Sequence, residues 1–247
     1  MIMRYKTKGF VLKKEDYLDD SRIFSVFTKD FGKVDLLGRA IRKINSKLRG
    51  GIGLFSLSDI EFIQGRLKKT LTDAVFLENF KNISRRSHSS IVACKISEVA
   101  DSFIKGQEQD EKILDLLLDV FLKLDKSFEE SKSNLIYQYF FWNFVSILGY
   151  NPELINCINC QKKLNPYELY FSSSEGGVIC KNCYALKREG IKIKSDSLKV
   201  LRLILRRDWD ILSKIKISET LKNSLVNLTE NYYLYLCSVL KSNFKNV

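Results

Sequence analysis

Four cysteines of the 247-residue chain stand in two C-x2-C knuckles, Cys157-Ile158-Asn159-Cys160 and Cys180-Lys181-Asn182-Cys183, separated by 19 residues. Each knuckle turns two thiolates toward one cation, and tetrahedral Zn²⁺ accepts four sulfurs at about 2.3 Å. Four protein ligands leave no coordination position for water. The expectation is therefore one structural Zn²⁺ held by Cys157, Cys160, Cys180 and Cys183, supplying folding free energy to the segment around it. Bound iron and a regulatory disulfide are the alternatives. Cys94 and Cys237 have apolar helical neighbours and no nearby Cys or His in the sequence, and are expected to fill core.

The second chemistry is electrostatic. Between Gly38 and Gly51 the chain carries Arg39, Arg42, Lys43, Lys47 and Arg49 and no acid. Lys14, Arg66 and Lys68 lie on neighbouring strands and turns of the same predicted β module. Loops and one sheet face are where small barrels take single nucleic-acid strands, so these eight residues are candidate phosphate contacts. A solvated charge run is the alternative. Aromatic residues of the module mostly serve its interior, with Tyr17 and Phe31, in predicted turns, as the better candidates for stacking on bases. Lys199, Arg202 and Arg206 share a helical stripe and form a possible second basic surface. That surface suits a second nucleic-acid track, an acidic protein tail or plain solvation.

Catalytic constellations are not expected. The single histidine, His88, sits in the polar stretch Ser84–Ser90 without a catalytic companion, and no G-x-x-x-x-G-K-[ST] motif occurs. Asp16, Asp19 and Asp20 suggest a metal-dependent nuclease only weakly, because they fall in one tight loop whereas two-metal sites gather carboxylates from several elements. The expectation is a protein that is not an enzyme, with no catalytic residue.

The formal charge of +12 is unevenly spread, at +6 for residues 1–80, −1 for 81–150 and +7 for 151–247. Both ends would attract a polyanion. A signal peptide is not expected, since Met1–Tyr5 runs directly into a Lys-punctuated stretch, and the most apolar run, Tyr139–Leu148, is too short to span a bilayer and is interrupted by Asn143. A cytoplasmic protein without membrane contact is expected, and such a compartment disfavours disulfides for its six cysteines.

These groups need elements to position them. Residues 5–12, 22–28, 33–37, 59–63 and 67–77 read as five short strands, with Asp30-Phe31-Gly32 and Gln64-Gly65 at hairpin turns that offer glycine for positive φ. Five strands make a small barrel of OB or SH3-like type. From about residue 80 the apolar period becomes helical, over 89–104, 110–128, 134–148, 196–207 and 218–244. The fold class is thus α+β and multidomain: a β module over 1–80, then a helical domain over 81–247. The segment 151–195 is an insertion that reads as neither helical nor strand-like.

The chain resembles the bacterial DNA repair and recombination protein RecO family over nearly its whole length. The resemblance rests on Gly9-Phe10-Val11-Leu12, on Thr28-Lys29-Asp30-Phe31-Gly32-Lys33, and on Gly38-Arg39-Ala40-Ile41-Arg42-Lys43 ending in Ser46-Lys47. It is most specific at Leu148-Gly149-Tyr150-Asn151-Pro152-Glu153-Leu154 running into Cys157 and Cys160. Phe171-Ser172, Gly176-Gly177, Cys180-Lys181-Asn182-Cys183 and Leu240-Lys241-Ser242 complete it. Ile44 and Asn45 make the basic loop less basic than is usual in the family, and all four cysteines are present where some members lack them.

What the resemblance implies is an N-terminal OB-fold, a helical C-terminal domain and an inserted zinc segment. It also implies binding to single- and double-stranded DNA, annealing of complementary strands, and action with RecR in loading RecA onto DNA coated by single-strand-binding protein, whose acidic C-terminal tail is a further partner. A nucleoid-associated, cytoplasmic recombination mediator is the expected function. An RNA-binding factor on the same barrel and a non-catalytic protein adaptor are the alternatives.

Overall fold

The computed structural model describes residues 3–65, 67–106 and 109–243. The chain divides into two compact units, Met1–Tyr137 and Gln138–Val247.

The first unit contains a closed five-stranded barrel of strands β1 (Arg4–Tyr17), β2 (Ser21–Thr28), β3 (Gly32–Gly38), β4 (Ser56–Gln64) and β5 (Lys69–Asn79), in the order β1-β2-β3-β5-β4. β1 is longer than its sequence alternation indicates. Its first half pairs antiparallel with β4 and its second half with β2, and a bulge between Val11 and Lys13 bends it from one partner toward the other. The barrel closes by a short parallel contact of β3 with β5, Leu36 opposite Lys69 and Leu37 opposite Thr70. Gly32 takes the left-handed φ expected of it, at 58°. Gly65 has no positive φ; glycine is required there because a Cβ would lie 2.5 Å from the Lys68 carbonyl oxygen.

The barrel interior is Val11, Phe24, Val26, Val34, Leu36, Ile60, Phe62 and Leu71, joined by Ile41 and Ile52 from the β3–β4 connector. Phe31 packs against this core too, edge-on to Tyr5 and Phe62, so it is a wedge in the barrel rather than a free stacking surface.

Helices α1 (Ser87–Phe103) and α2 (Glu111–Lys126) lie against the barrel, and α3 (Glu130–Ile147) follows them. Asp110 caps α2 by accepting from the Lys112 N–H at 2.8 Å. Phe121 of α2 meets Phe10 of β1 with ring centroids 4.7 Å apart, and Phe55 and Phe80 close the same cluster. Asp125, at the end of α2, accepts from the N–H groups of Asn82 and Ile83 and from the Asn82 amide. That clamp fixes the β5–α1 passage to α2.

In the second unit, Trp142 is fully buried. Its Nε1 donates to Thr229 Oγ1 at 3.0 Å, and its ring stacks on Tyr232 and meets Phe171 edge-on. Around it lie α5 (Ser195–Leu205), the short turn α6 (Trp209–Leu212) and α7 (Glu219–Asn243). Asn143, the polar break in the apolar run, is buried with its amide donating to the Tyr139 and Ile204 carbonyls. No helix among the described residues is long and apolar enough to cross a membrane.

The segment 151–195 corrects the sequence reading. It is ordered as a three-stranded sheet, β6 (Leu169–Ser172), β7 (Gly177–Cys180) and β8 (Ile191–Ile193), in the order β7-β6-β8, with helix α4 (Lys181–Lys187). Strands of three and four residues are too short to show alternation. Cys94 is also corrected: it is exposed rather than a core filler, and Cys237 is only partly buried.

Candidate metal centre and nucleic-acid interface

The two knuckles reach the same point from different elements. Cys157 and Cys160 lie on the turn after Leu154, while Cys180 ends β7 and Cys183 sits in α4. The four Sγ atoms lie within 4.8 Å of one another, and Cys160 and Cys180 are 3.8 Å apart. A tetrahedron with metal–sulfur bonds near 2.3 Å has edges of about 3.8 Å, so the donor set fits a metal ion. The Cys180 N–H donates to Cys157 Sγ at 3.4 Å, the kind of supporting contact that thiolate sites use.

Electrostatics at the quartet point the same way. Burial opposes ionisation of Cys157, yet N–H groups of Cys160, Cys180 and Asn159 outweigh it and bring the thiol down to about 6. Burial, and then the neighbouring thiols, push Cys183 up to about 12. The pocket thus welcomes one thiolate and resists the next, a conflict that a central divalent cation resolves.

The basic connector between β3 and β4 is anchored by its apolar residues. Ile41 and Ile52 are buried in the barrel and Leu48 packs against it, within the 3₁₀ turn Lys47–Gly50. Arg39, Arg42 and Lys43 are left at the rim beside the β1–β2 turn. The Arg42 N–H donates to the Asp20 carbonyl at 2.9 Å, the Ala40 N–H to Ser21 Oγ at 3.2 Å, and Lys43 stands 3.6 Å from the Asp20 carboxylate. The β4–β5 turn reaches the same rim, where the Lys68 ammonium lies 3.9 Å above the Tyr17 ring.

Arg39, Arg42, Lys43 and Lys68 are therefore brought together. Lys47 and Arg49 stand further along the connector, on its 3₁₀ turn. Lys14 is exposed on β1. Arg66 lies outside the described residues. Of Asp16, Asp19 and Asp20, the weak nuclease suggestion, Asp16 lies on β1 instead of in the turn, and Asp16 and Asp20 are partners of cations at this rim: Asp16 accepts from Arg22 at 2.7 Å and faces Arg42 at 3.4 Å. The hydrogen bond from Arg22, then the charge of Arg42, hold the Asp16 carboxyl below its ordinary value.

Sequence spacing missed the groove beside this rim, where β3 and β5 part after two residue pairs. Its lining includes Lys33, Gln64, Leu67, Lys68 and Lys69, around a space of about 480 Å³. Only the barrel closure brings Lys33 and Lys69 together, so no local pattern announces them.

On α5, Lys199 pairs with Asp196 at 3.0 Å, and Arg202 donates from Nε to the Leu154 carbonyl at 3.0 Å. Arg206 is exposed at the end of the helix. The stripe predicted from spacing is thus divided among a local ion pair, a structural tie and one exposed cation.

Residues 1–80 match the family model described as Recombination protein O N terminal, and residues 87–241 match Recombination protein O C terminal. A DNA repair protein RecO from Dehalococcoides mccartyi (strain ATCC BAA-2266 / KCTC 15142 / 195) is 31% identical over 221 residues, covering 90% of this chain and 86% of the relative. Those of Alkaliphilus metalliredigens (strain QYMF) and Caldicellulosiruptor saccharolyticus are 28% and 29% identical; they cover 94% and 92% of this chain, and 93% and 91% of themselves.

Proposed function

The chain belongs to the Recombination protein O family, and from that premise we propose that it is a non-catalytic recombination mediator that binds single- and double-stranded DNA and anneals complementary strands. The observation that carries the proposal is the acid-free connector whose Arg39, Arg42 and Lys43 gather with Lys68 at one rim of the barrel. In this reading residues 1–80 are the DNA-binding domain, and Lys14, Lys47, Arg49 and Arg66 extend the phosphate track. Neutralising phosphates on two strands lowers their repulsion, and base pairing then supplies the annealing energy.

Cooperation with RecR, recognition of the acidic tail of single-strand-binding protein and assistance to RecA loading belong to the same proposal, in a cytoplasmic setting. The four-cysteine centre holds one structural Zn²⁺. Its supports are the tetrahedral sulfur spacing and the all-thiolate donor set.

The test is the salt dependence of single-strand binding. Replacing Arg39, Arg42 and Lys43 by Ala should shallow the slope of log K against log salt by about 0.7 for each phosphate that is no longer neutralised. An unchanged slope rejects the rim as the phosphate-binding site. Preference for RNA without annealing would favour an RNA-binding factor, and no nucleic-acid binding at moderate salt would favour a protein adaptor.

A further inference from the structure

The cysteine module has a surface that the barrel reading leaves unused. The rings of Tyr170 on β6 and Tyr184 on α4 stack face to face, centroids 3.7 Å apart and planes within 4°. Across β6, Tyr170 is registered with Lys192 of β8. Cross-strand partners share a face of the sheet, so Lys192 stands beside the tyrosine pair. Arg188 closes α4, its N–H bonded to the Tyr184 carbonyl at 2.6 Å. Tyr167, three residues before Tyr170, is 85% exposed.

Charge in the module is sorted in the same sense. Glu168 pairs with Lys181 and Glu175 with Lys187, while the Glu153 carboxylate accepts from the Ile155 and Asn156 N–H groups and Glu189 accepts from Ser174. Lys162, Lys163, Arg188, Lys192 and Lys194 are exposed, with no acidic partner among the described residues. Every acid is engaged inside the module while these cations face water. A four-thiolate centre carrying a divalent cation is formally −2, so the module's net attraction for a polyanion is small and aromatic stacking must supply most of the affinity.

We infer that this face is a second single-strand site, on which unpaired bases stack against Tyr167 and the Tyr170–Tyr184 pair while Arg188 and Lys192 hold phosphates. Stacking on tyrosine suits any base, so the site is sequence-tolerant. The inference rests on the reading of the chain as a DNA-binding mediator and places the second basic surface on the cysteine module instead of α5, where Arg202 is tied to Leu154 and Lys199 to Asp196. Two strand sites in one chain raise the effective concentration of one strand near the other.

The experiment uses the full, metal-loaded chain and a fluorescent oligothymidylate, read by anisotropy. In the Arg39→Ala, Arg42→Ala, Lys43→Ala background, adding Tyr167→Ala and Tyr184→Leu should weaken residual binding about tenfold with little change in salt slope, and Tyr184→Phe should leave it intact. Adding Arg188→Ala and Lys192→Ala to the same background should instead lower the slope, by about 0.7 per phosphate. Oligonucleotides carrying 5-iodo-deoxyuridine should crosslink the unmodified chain at Tyr167 or Tyr184, which decides the matter if a variant fails to fold.

Unchanged binding by module variants of normal metal content, or crosslinks confined to residues 1–80, overturns the second site and leaves the barrel reading standing. Loss of acidic-peptide binding by those variants with DNA binding intact overturns it in favour of a protein partner. Absence of any strand binding by the unmodified chain overturns both.

Discussion

The Asp16 carboxylate faces the Arg42 guanidinium across 3.4 Å at the barrel rim, so one of the loop's cations is held by an acid near the end of β1. Both groups are exposed, and a phosphate entering the rim competes with a weak partner. The pair positions Arg42 and also draws on its charge.

Replacing Asp16 by Asn should therefore tighten single-strand binding. The increase should be at most a few-fold at low salt and should fade as salt is added, because an exposed pair is weak and screened. Because Asp16 titrates below the ordinary carboxylate range, the unmodified protein should show the same gain only as pH falls through that depressed value. Anisotropy titrations of both proteins across pH check this, and weaker binding by the variant would show that positioning outweighs competition.

Lys33 and Asp101 tie β3 to α1 at 2.9 Å, and Ser25 donates to the same carboxylate. Burial works against the Asp101 charge, but these donors hold its carboxyl below the ordinary value. A depressed folded-state value means that the contribution to stability is complete above the unfolded value of about 3.9 and disappears as pH falls through the folded one. Urea midpoints measured from about pH 6 down to about pH 3 should fall with acid in the unmodified chain and fall less in Asp101→Asn.

The Asp125 clamp predicts a larger loss. Asp125→Ala leaves the Asn82 and Ile83 N–H groups and the Asn82 amide without their acceptor. A destabilisation of about 2–3 kcal/mol is expected, against about 0.5 kcal/mol for an exposed surface change. Chemical denaturation of the purified variant is the measurement.

Metal removal should act on the second unit first. Trp142 and Trp209 are the only tryptophans and both lie in that unit. Trp142 meets Phe171 of β6 at 5.8 Å. Chelation, or Cys157→Ser, should change tryptophan emission and expose β6 and β7 to proteolysis while barrel strands keep their hydrogen-exchange protection. Unchanged emission at verified metal loss would show that the module folds without the ion.

By itself the sequence determined the β-then-helix division, the basic connector and the cysteine quartet, because each is written locally. The C-x2-C turn, the acid-free run Arg39–Arg49 and the 3.6-residue period need no distant partner to be legible. The OB strand order and the gathering of Arg42 and Lys68 at one rim arise from barrel closure, which joins residues far apart in the chain. The strands of 169–193 escaped the sequence reading because three or four residues cannot display a period. Tertiary structure alone decided that Phe31 is core, that Cys94 is exposed, that Arg202 is bound to a backbone carbonyl, and that Tyr170 meets Tyr184. In each case the side chain's role is set by whether, and which, distant surface the fold brings against it, and residue type and spacing carry no record of that surface.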